Sequence, residues 1–206
     1  MSFRQLDEIQ RKAMSIMVAR CGYNRNTKKE ILYGPLELGG ANFRHLYIQQ
    51  GVGQVTTFIK HWRLQSTAGK LLRIALEWFQ IQAGVSFSIL TDVKRSLPHL
   101  ESKWIGSLRD FLAKYDMYLQ LDNVAIPKLK RKYDVYLMDL ILESTMFTQR
   151  EIRSLNYCRL YLKAVTVSDI CHLDGTTLDP CMLKGTFPPI GWQSHERPHY
   201  LSRETF

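Results

Sequence analysis

The stretch that decides the fold is YGPLELGGANFRHLYIQQGVGQVTTFIKHWR, Tyr33 to Arg63. Gly34 and Pro35 interrupt what precedes them, and Gly39-Gly40 supply the freedom a tight turn with positive φ needs. A helix is expected to start near Asn42, whose side-chain oxygen can accept from first-turn N–H groups without an intrahelical partner. Ile48, Val52, Val55, Ile59 and Trp62 recur at spacings of four, three, four and three, one apolar seam of an α-helix. Gln49, Thr56, Lys60 and Arg63 flank that seam. One side of the helix is expected to pack while the other faces solvent or a ligand.

Helical patterns continue on both sides. Upstream, Leu6, Ile9, Ala13, Ile16 and Met17 repeat at helical spacing and Cys21-Gly22 gives a stop; Asn26 is a candidate cap for a short second helix. Downstream, Ser66-Thr67 is expected to cap a central, mostly buried helix running to Ile81, with Lys70, Arg73, Glu77 and Gln80 as its single polar stripe. Gly84 to Ser96 reads as loop, with a short extended piece near Ser86 to Leu90. Pro98 opens the next helix, with Leu100, Trp104, Leu108, Phe111 and Tyr115 as its seam. Tyr118 to Leu121 alternates like a short strand, and Asp134 to Phe147 reads as helix. Thr148-Gln149-Arg150-Glu151 is a capping box that opens a last helix through Ile152, Leu155, Cys158, Leu162 and Val165. Ile170 to Leu178, turning at Asp174-Gly175, reads as a β-hairpin, and the Pro- and Gly-containing segment after Lys184 as a loose tail of something longer. The expected architecture is mainly α: a compact bundle of about six helices over 1–167, a small C-terminal β-hairpin over 168–183, and the tail 184–206.

The segment Gly34-Pro35-Leu36-Glu37-Leu38-Gly39-Gly40-Ala41-Asn42-Phe43-Arg44-His45-Leu46, with Lys60-His61-Trp62-Arg63 closing the following helix, resembles the region after the polymerase domain of non-LTR retrotransposon reverse transcriptases. The common form there is P-x-x-x-GG-x-G-[LF] leading into a helix that ends K-W-x-x-R. Asn42 stands where the third glycine is usual. SLRDFL (Ser107–Leu112), YLMDLILES (Tyr136–Ser144), Leu155 to Leu162 and DGTTLDP (Asp174–Pro180) extend the resemblance, which is to a retroelement-derived family of eukaryotic microbes. It implies a position following the polymerase thumb, with an upstream polymerase domain as partner and RNA or an RNA–DNA hybrid as ligand.

Composition agrees with an anionic partner. The 206 residues carry a net charge of +9, with 28 Lys and Arg against 19 Asp and Glu. Between Glu37 and Glu77 stand Arg44, Lys60, Arg63, Lys70 and Arg73 and no acid. Lys128, Lys130, Arg131 and Lys132 form the densest basic patch, followed by Tyr133 and Tyr136; cations for phosphates beside rings for bases suit a nucleic-acid surface. His61 and Tyr133 are candidates for sugar or base contact. A solvated basic face with packed tyrosines accounts for the same residues, as in a helical protein-interaction scaffold without a nucleic-acid role.

Catalysis has little footing. A template-copying polymerase needs adjacent carboxylates for two metal ions, and the chain has no Asp-Asp dipeptide. Cys158, Cys171, His172 and Cys181 lack metal-site spacing, and Cys21 has no evident base partner. A non-catalytic chain without metal or cofactor is expected. The four cysteines suit reduced thiols, and no apolar run of about 18 residues would span a membrane, so an intracellular protein of nucleus or cytoplasm is expected.

Overall fold

The computed structural model describes residues 2–64, 66–101, 103–122, 124–172, 174–180 and 182. It is mainly helical, with seven α-helices and no strand among the described residues: α1 (Phe3–Arg20), α2 (Lys29–Tyr33), α3 (Leu46–Arg63), α4 (Thr67–Ala83), α5 (Trp104–Lys114), α6 (Leu137–Glu143) and α7 (Gln149–Tyr161). In place of one bundle, the chain divides into two compact units, residues 1–70 and 71–206, and the division falls inside α4.

In the first unit α1 packs against α3. α1 opens on a capping box in which Ser2 and Gln5 satisfy each other's first-turn groups, and it closes at Cys21. Its buried positions are Leu6, Gln10 and Val18, while Ile9, Ile16 and Met17 are exposed. Gln10 is the joint of the unit. Its amide donates to the Tyr33 hydroxyl at 2.7 Å and its carbonyl accepts from the Leu46 N–H at 2.7 Å, satisfying a donor at the start of α3 that has no intrahelical acceptor.

α3 starts four residues later than Asn42, at Leu46, because His45 is the cap, its Nδ1 accepting from the Tyr47 N–H at 3.3 Å. Asn42 instead adopts φ +52, in the left-handed region where glycine is the usual occupant. The buried face is also rotated from the expected seam: Tyr47, Gly51 and Phe58 are buried, whereas Ile48 and Val52 are exposed. Phe58 stacks on Trp62 at 5.6 Å.

Between α2 and α3 the backbone folds onto itself. Ala41 and Phe43 donate to the carbonyls of Ile31 and Leu32, and Asn42 to that of Gly34, each within 2.9 Å. Gly39 takes φ +77, and a Cβ at Gly40 would overlap the Gly34 carbonyl. We expect Gly40→Ala to cost about 2–3 kcal/mol, because the obstacle is main chain and not a movable side chain. Urea unfolding of the two proteins checks this; an unchanged midpoint would show that the loop can open.

In the second unit α6 packs against α7, whose start at the Thr148/Glu151 capping box is as the sequence predicts, with Glu151 N–H donating to Thr148 Oγ1 at 3.3 Å. α6 is shorter than the expected Asp134–Phe147, and α5 begins at Trp104 instead of Pro98. The segment Gly84 to Ser96, expected to be loop with a short extended piece near Ser86 to Leu90, is core: Val85, Ile89, Leu90 and Val93, with Leu97 just after it, are buried within a run of turns between α4 and α5, and no strand forms there. Buried irregular backbone needs polar partners, and side chains supply them. Gln80, on the polar stripe of α4, is fully buried; it donates to the Phe87 carbonyl at 2.8 Å and accepts from the Ile89 N–H at 3.2 Å. Arg109 donates to the carbonyls of Ile89 and Asp92, both at 3.0 Å, and to that of Arg95.

α4 is accordingly not the mostly buried helix that was expected. It buries Leu76, Phe79, Gln80 and Ala83 and exposes Leu71, Ile74, Trp78 and Ile81. No strand forms at Tyr118–Leu121, where Leu119 N–H donates singly to the Leu90 carbonyl at 2.8 Å. The expected hairpin is reduced to an isolated antiparallel bridge between Cys171 and Leu178, and the tail 184–206 lies outside the described residues. No described helix is long and apolar enough to cross a membrane.

Candidate nucleic-acid interface

Charge is unevenly divided between the units. Residues 1–70 hold eleven Lys and Arg against four Asp and Glu, a net of +7; residues 71–206 hold seventeen against fifteen, a net of +2. Two of the four acids in the first unit are turned on their own helix, Asp7 to Arg11 at 3.2 Å and Glu8 to Lys12 at 3.0 Å.

Arg44, Lys60, Arg63 and Lys70 are all exposed, and among the described residues none pairs with a carboxylate. Lys60 and Arg63 lie one turn apart at the end of α3 and border an open depression of about 460 Å³, lined also by Thr56, Ile59 and Leu64. Cations in a last turn also complement the negative end of the helix, so part of their role is local. Ser66 Oγ accepts from the Gly69 N–H at 3.2 Å, and a Cβ at Gly69 would press on the carbonyls of His61 and Leu64. Lys70 follows one residue later, in the first turn of α4. His61 is half-buried, and its Nδ1 is shut from solvent without a hydrogen-bond partner. Arg73 is half-buried along α4.

The basic patch at 128–132 is at the surface, with only Arg131 half-buried, but two of its four cations are engaged. Lys130 ion-pairs with Asp169, and Arg131 Nη1 donates to the His172 carbonyl at 2.8 Å. Burial alone would raise the Asp169 carboxyl, but the hydrogen bonds from Lys130, Thr166 and Val165 outweigh it and hold the group below the usual carboxylate range. Lys128 and Lys132 remain exposed. The two tyrosines part company: Tyr136 is 9% exposed and its hydroxyl donates to the Pro127 carbonyl, whereas Tyr133 is 87% exposed. Sequence could not separate them, because the acceptors that occupy Lys130, Arg131 and Tyr136 are either far along the chain or main-chain carbonyls.

No family model, curated protein or solved structure matches this chain. What the surface can bind has to follow from its charge and geometry. Among the described residues no cluster of His, Cys, Asp or Glu is grouped to hold a metal ion; Cys158 is buried, Cys171 half-buried and Cys21 exposed, and Cys181 lies outside the described residues.

Proposed function

We propose that this chain is a non-catalytic nucleic-acid-binding module of a reverse-transcriptase-like retroelement protein. Following an upstream polymerase domain inside the cell, it holds template–primer or element RNA. The observation that carries this is the acid-free, exposed set Arg44, Lys60, Arg63 and Lys70 in a unit of net charge +7. Phosphates spaced along a strand match separated cations without carboxylate partners, and the resulting affinity depends on charge more than on sequence.

The test is fluorescence anisotropy of the 206-residue chain with a labelled RNA–DNA hybrid across a salt series. Lys60→Ala, Arg63→Ala and Lys70→Ala combined should reduce the slope of log affinity against log salt by about 2–3 and weaken binding at every sequence tried. An unchanged slope would remove these residues from the interface. Lys130 and Arg131 are poor choices for such a variant, since their loss would also release Asp169 and the His172 carbonyl.

A second reading, a helical protein-interaction scaffold, is favoured by the exposed row Leu71, Ile74, Trp78 and Ile81 on α4. It predicts that Trp78→Ser and Ile74→Ser abolish capture of a protein partner and leave the salt-dependent binding of nucleic acid unaltered.

A further inference from the structure

Residues 127–136 form a loop fastened on both sides of its tip. Before the tip, Lys130 pairs with Asp169 and its N–H donates to Asp134 Oδ2 at 3.3 Å. After it, the Asp134 carboxylate also accepts from the N–H groups of Val135 and Ser168, both at 3.0 Å, and Tyr136 is tied to Pro127. Arg131 is anchored on the His172 carbonyl. What projects between these fastenings is Lys132 and Tyr133.

Single exposed aromatics are common on protein surfaces. Tyr133 differs in its backbone, which sits at φ +68, a left-handed conformation that disfavours a bulky residue and persists only where the surroundings impose it. The Asp134 bonds flank this residue, and its ring is out in solvent. Lys132 Nζ lies 5.1 Å from its centroid, on one face. Beside the ring is a depression of about 150 Å³ whose lining includes Arg131, Lys132, Asp134, Ser168, Cys171 and Gly175, the Asp134 carboxylate being taken up by main-chain N–H groups. That is below the size of an ordinary small-molecule pocket, so it suits one flat group laid against the ring more than an extended ligand.

We infer that Tyr133 is a stacking platform for one unpaired base of single-stranded nucleic acid, with Lys128 and Lys132 on the neighbouring phosphates. The inference rests on the nucleic-acid reading above and narrows it: a base inside a duplex has no free face for the ring, so this site takes single strands. Because every base has a π-face, it discriminates strandedness and not sequence.

The experiment compares the full chain with Tyr133→Gly and Tyr133→Phe, by anisotropy, on a labelled oligouridine 12-mer and on a duplex RNA of equal length. Glycine accepts φ +68 freely, so the variant removes the ring without unfolding the loop. Tyr133→Gly should weaken single-strand binding roughly 5- to 100-fold and leave duplex binding within twofold, and Tyr133→Phe should bind like the parent. If Tyr133→Gly binds the single strand as the parent does while the Lys60/Arg63/Lys70 variant is weakened, stacking is wrong and the phosphate reading stands. Equal losses on both ligands, or failure of phenylalanine to restore binding, would also overturn stacking. If the parent binds neither ligand at low salt, the nucleic-acid reading fails and this inference with it.

Discussion

Replacing Arg159 by methionine is expected to cost the second unit about 3–5 kcal/mol, the largest effect of any single substitution considered. Arg159 is buried on α7, and its guanidinium donates to Asn156 Oδ1 at 2.7 Å, to the carbonyls of Ile81 and Gln82, both at 2.9 Å, and to that of Ala164 at 3.2 Å. Ile81 and Gln82 are in the last turn of α4, where carbonyls have no intrahelical donor and the helix end carries partial negative charge. The buried cation therefore does two jobs: it caps α4 and it fixes α7 to that cap. Burial pulls its pKa down to about 10, which still leaves it charged at neutral pH. Methionine would fill most of the volume but leave several buried acceptors unpaired, each costing about 1–3 kcal/mol, with some relief from water entering the neighbouring cavity. Lysine should recover only part of the loss, because one ammonium cannot reach acceptors spread around a planar fork. Gly84 tests the geometry from the other side. It has φ +64, and a Cβ there would lie 2.6 Å from the Arg159 Cζ, so Gly84→Ala should destabilise less in the Arg159→Met background than in the parent. Urea unfolding measures all five proteins. An Arg159→Met loss below about 1 kcal/mol would mean that the α4 cap is supplied by something else.

This arrangement also marks the limit of what the sequence discloses. Features set by neighbours in the chain were legible: the first helix to its stop at Cys21, the Thr148/Glu151 box, the left-handed Gly39 and the mainly helical class. What failed was the assignment of faces. Gln80 lies in a tidy polar stripe at spacings of three and four, and counting apolar residues assigns that stripe to solvent. The stripe is overruled because residues 84–97 pass through the core without helix or strand, and their N–H and carbonyl groups need a side chain to bond. Arg109 and Arg159 look like surface cations for the same reason, since the carbonyls that hold them in the core leave no trace in composition. The candidate interface divided along the same line. Lys60, Arg63 and Lys70 stayed outside, while Lys130 and Arg131 were drawn into tertiary bonds with Asp169 and His172, some forty residues away. A charge run gives the number of cations available, and only the fold decides which are free to meet a phosphate.

Acidification from pH 7.5 to pH 4.5 is expected to destabilise the second unit by about 2.5 kcal/mol through one residue, His99. It is buried, with Nε2–H donating to the Ala83 carbonyl at 3.1 Å and Nδ1 enclosed without a partner. Desolvation lowers its pKa from 6.5 to about 4, and the nearby Arg159 and Arg109 cations reinforce the shift against the favourable bond to Ala83. A base depressed in the folded state binds its proton more readily when unfolded. Stability is therefore complete above about pH 6.5, falls as pH drops toward 4, and levels off below that; a shift from 6.5 to about 4 corresponds to about 3 kcal/mol in total. Much of this window lies above the range in which unfolded carboxylates titrate, near pH 4, so the two effects separate along the pH axis. His99→Gln supplies the same kind of donor to Ala83 without a titrating ring, and its unfolding free energy should be nearly flat from pH 7.5 to pH 5 where the parent declines. Should the variant prove too unstable to compare, the His99 ring resonance of the parent decides: it should hold its neutral shift down to pH 5. Protonation near pH 6.5 would mean that the ring reaches water and that the core between α4 and α5 opens more readily than its enclosed Nδ1 implies.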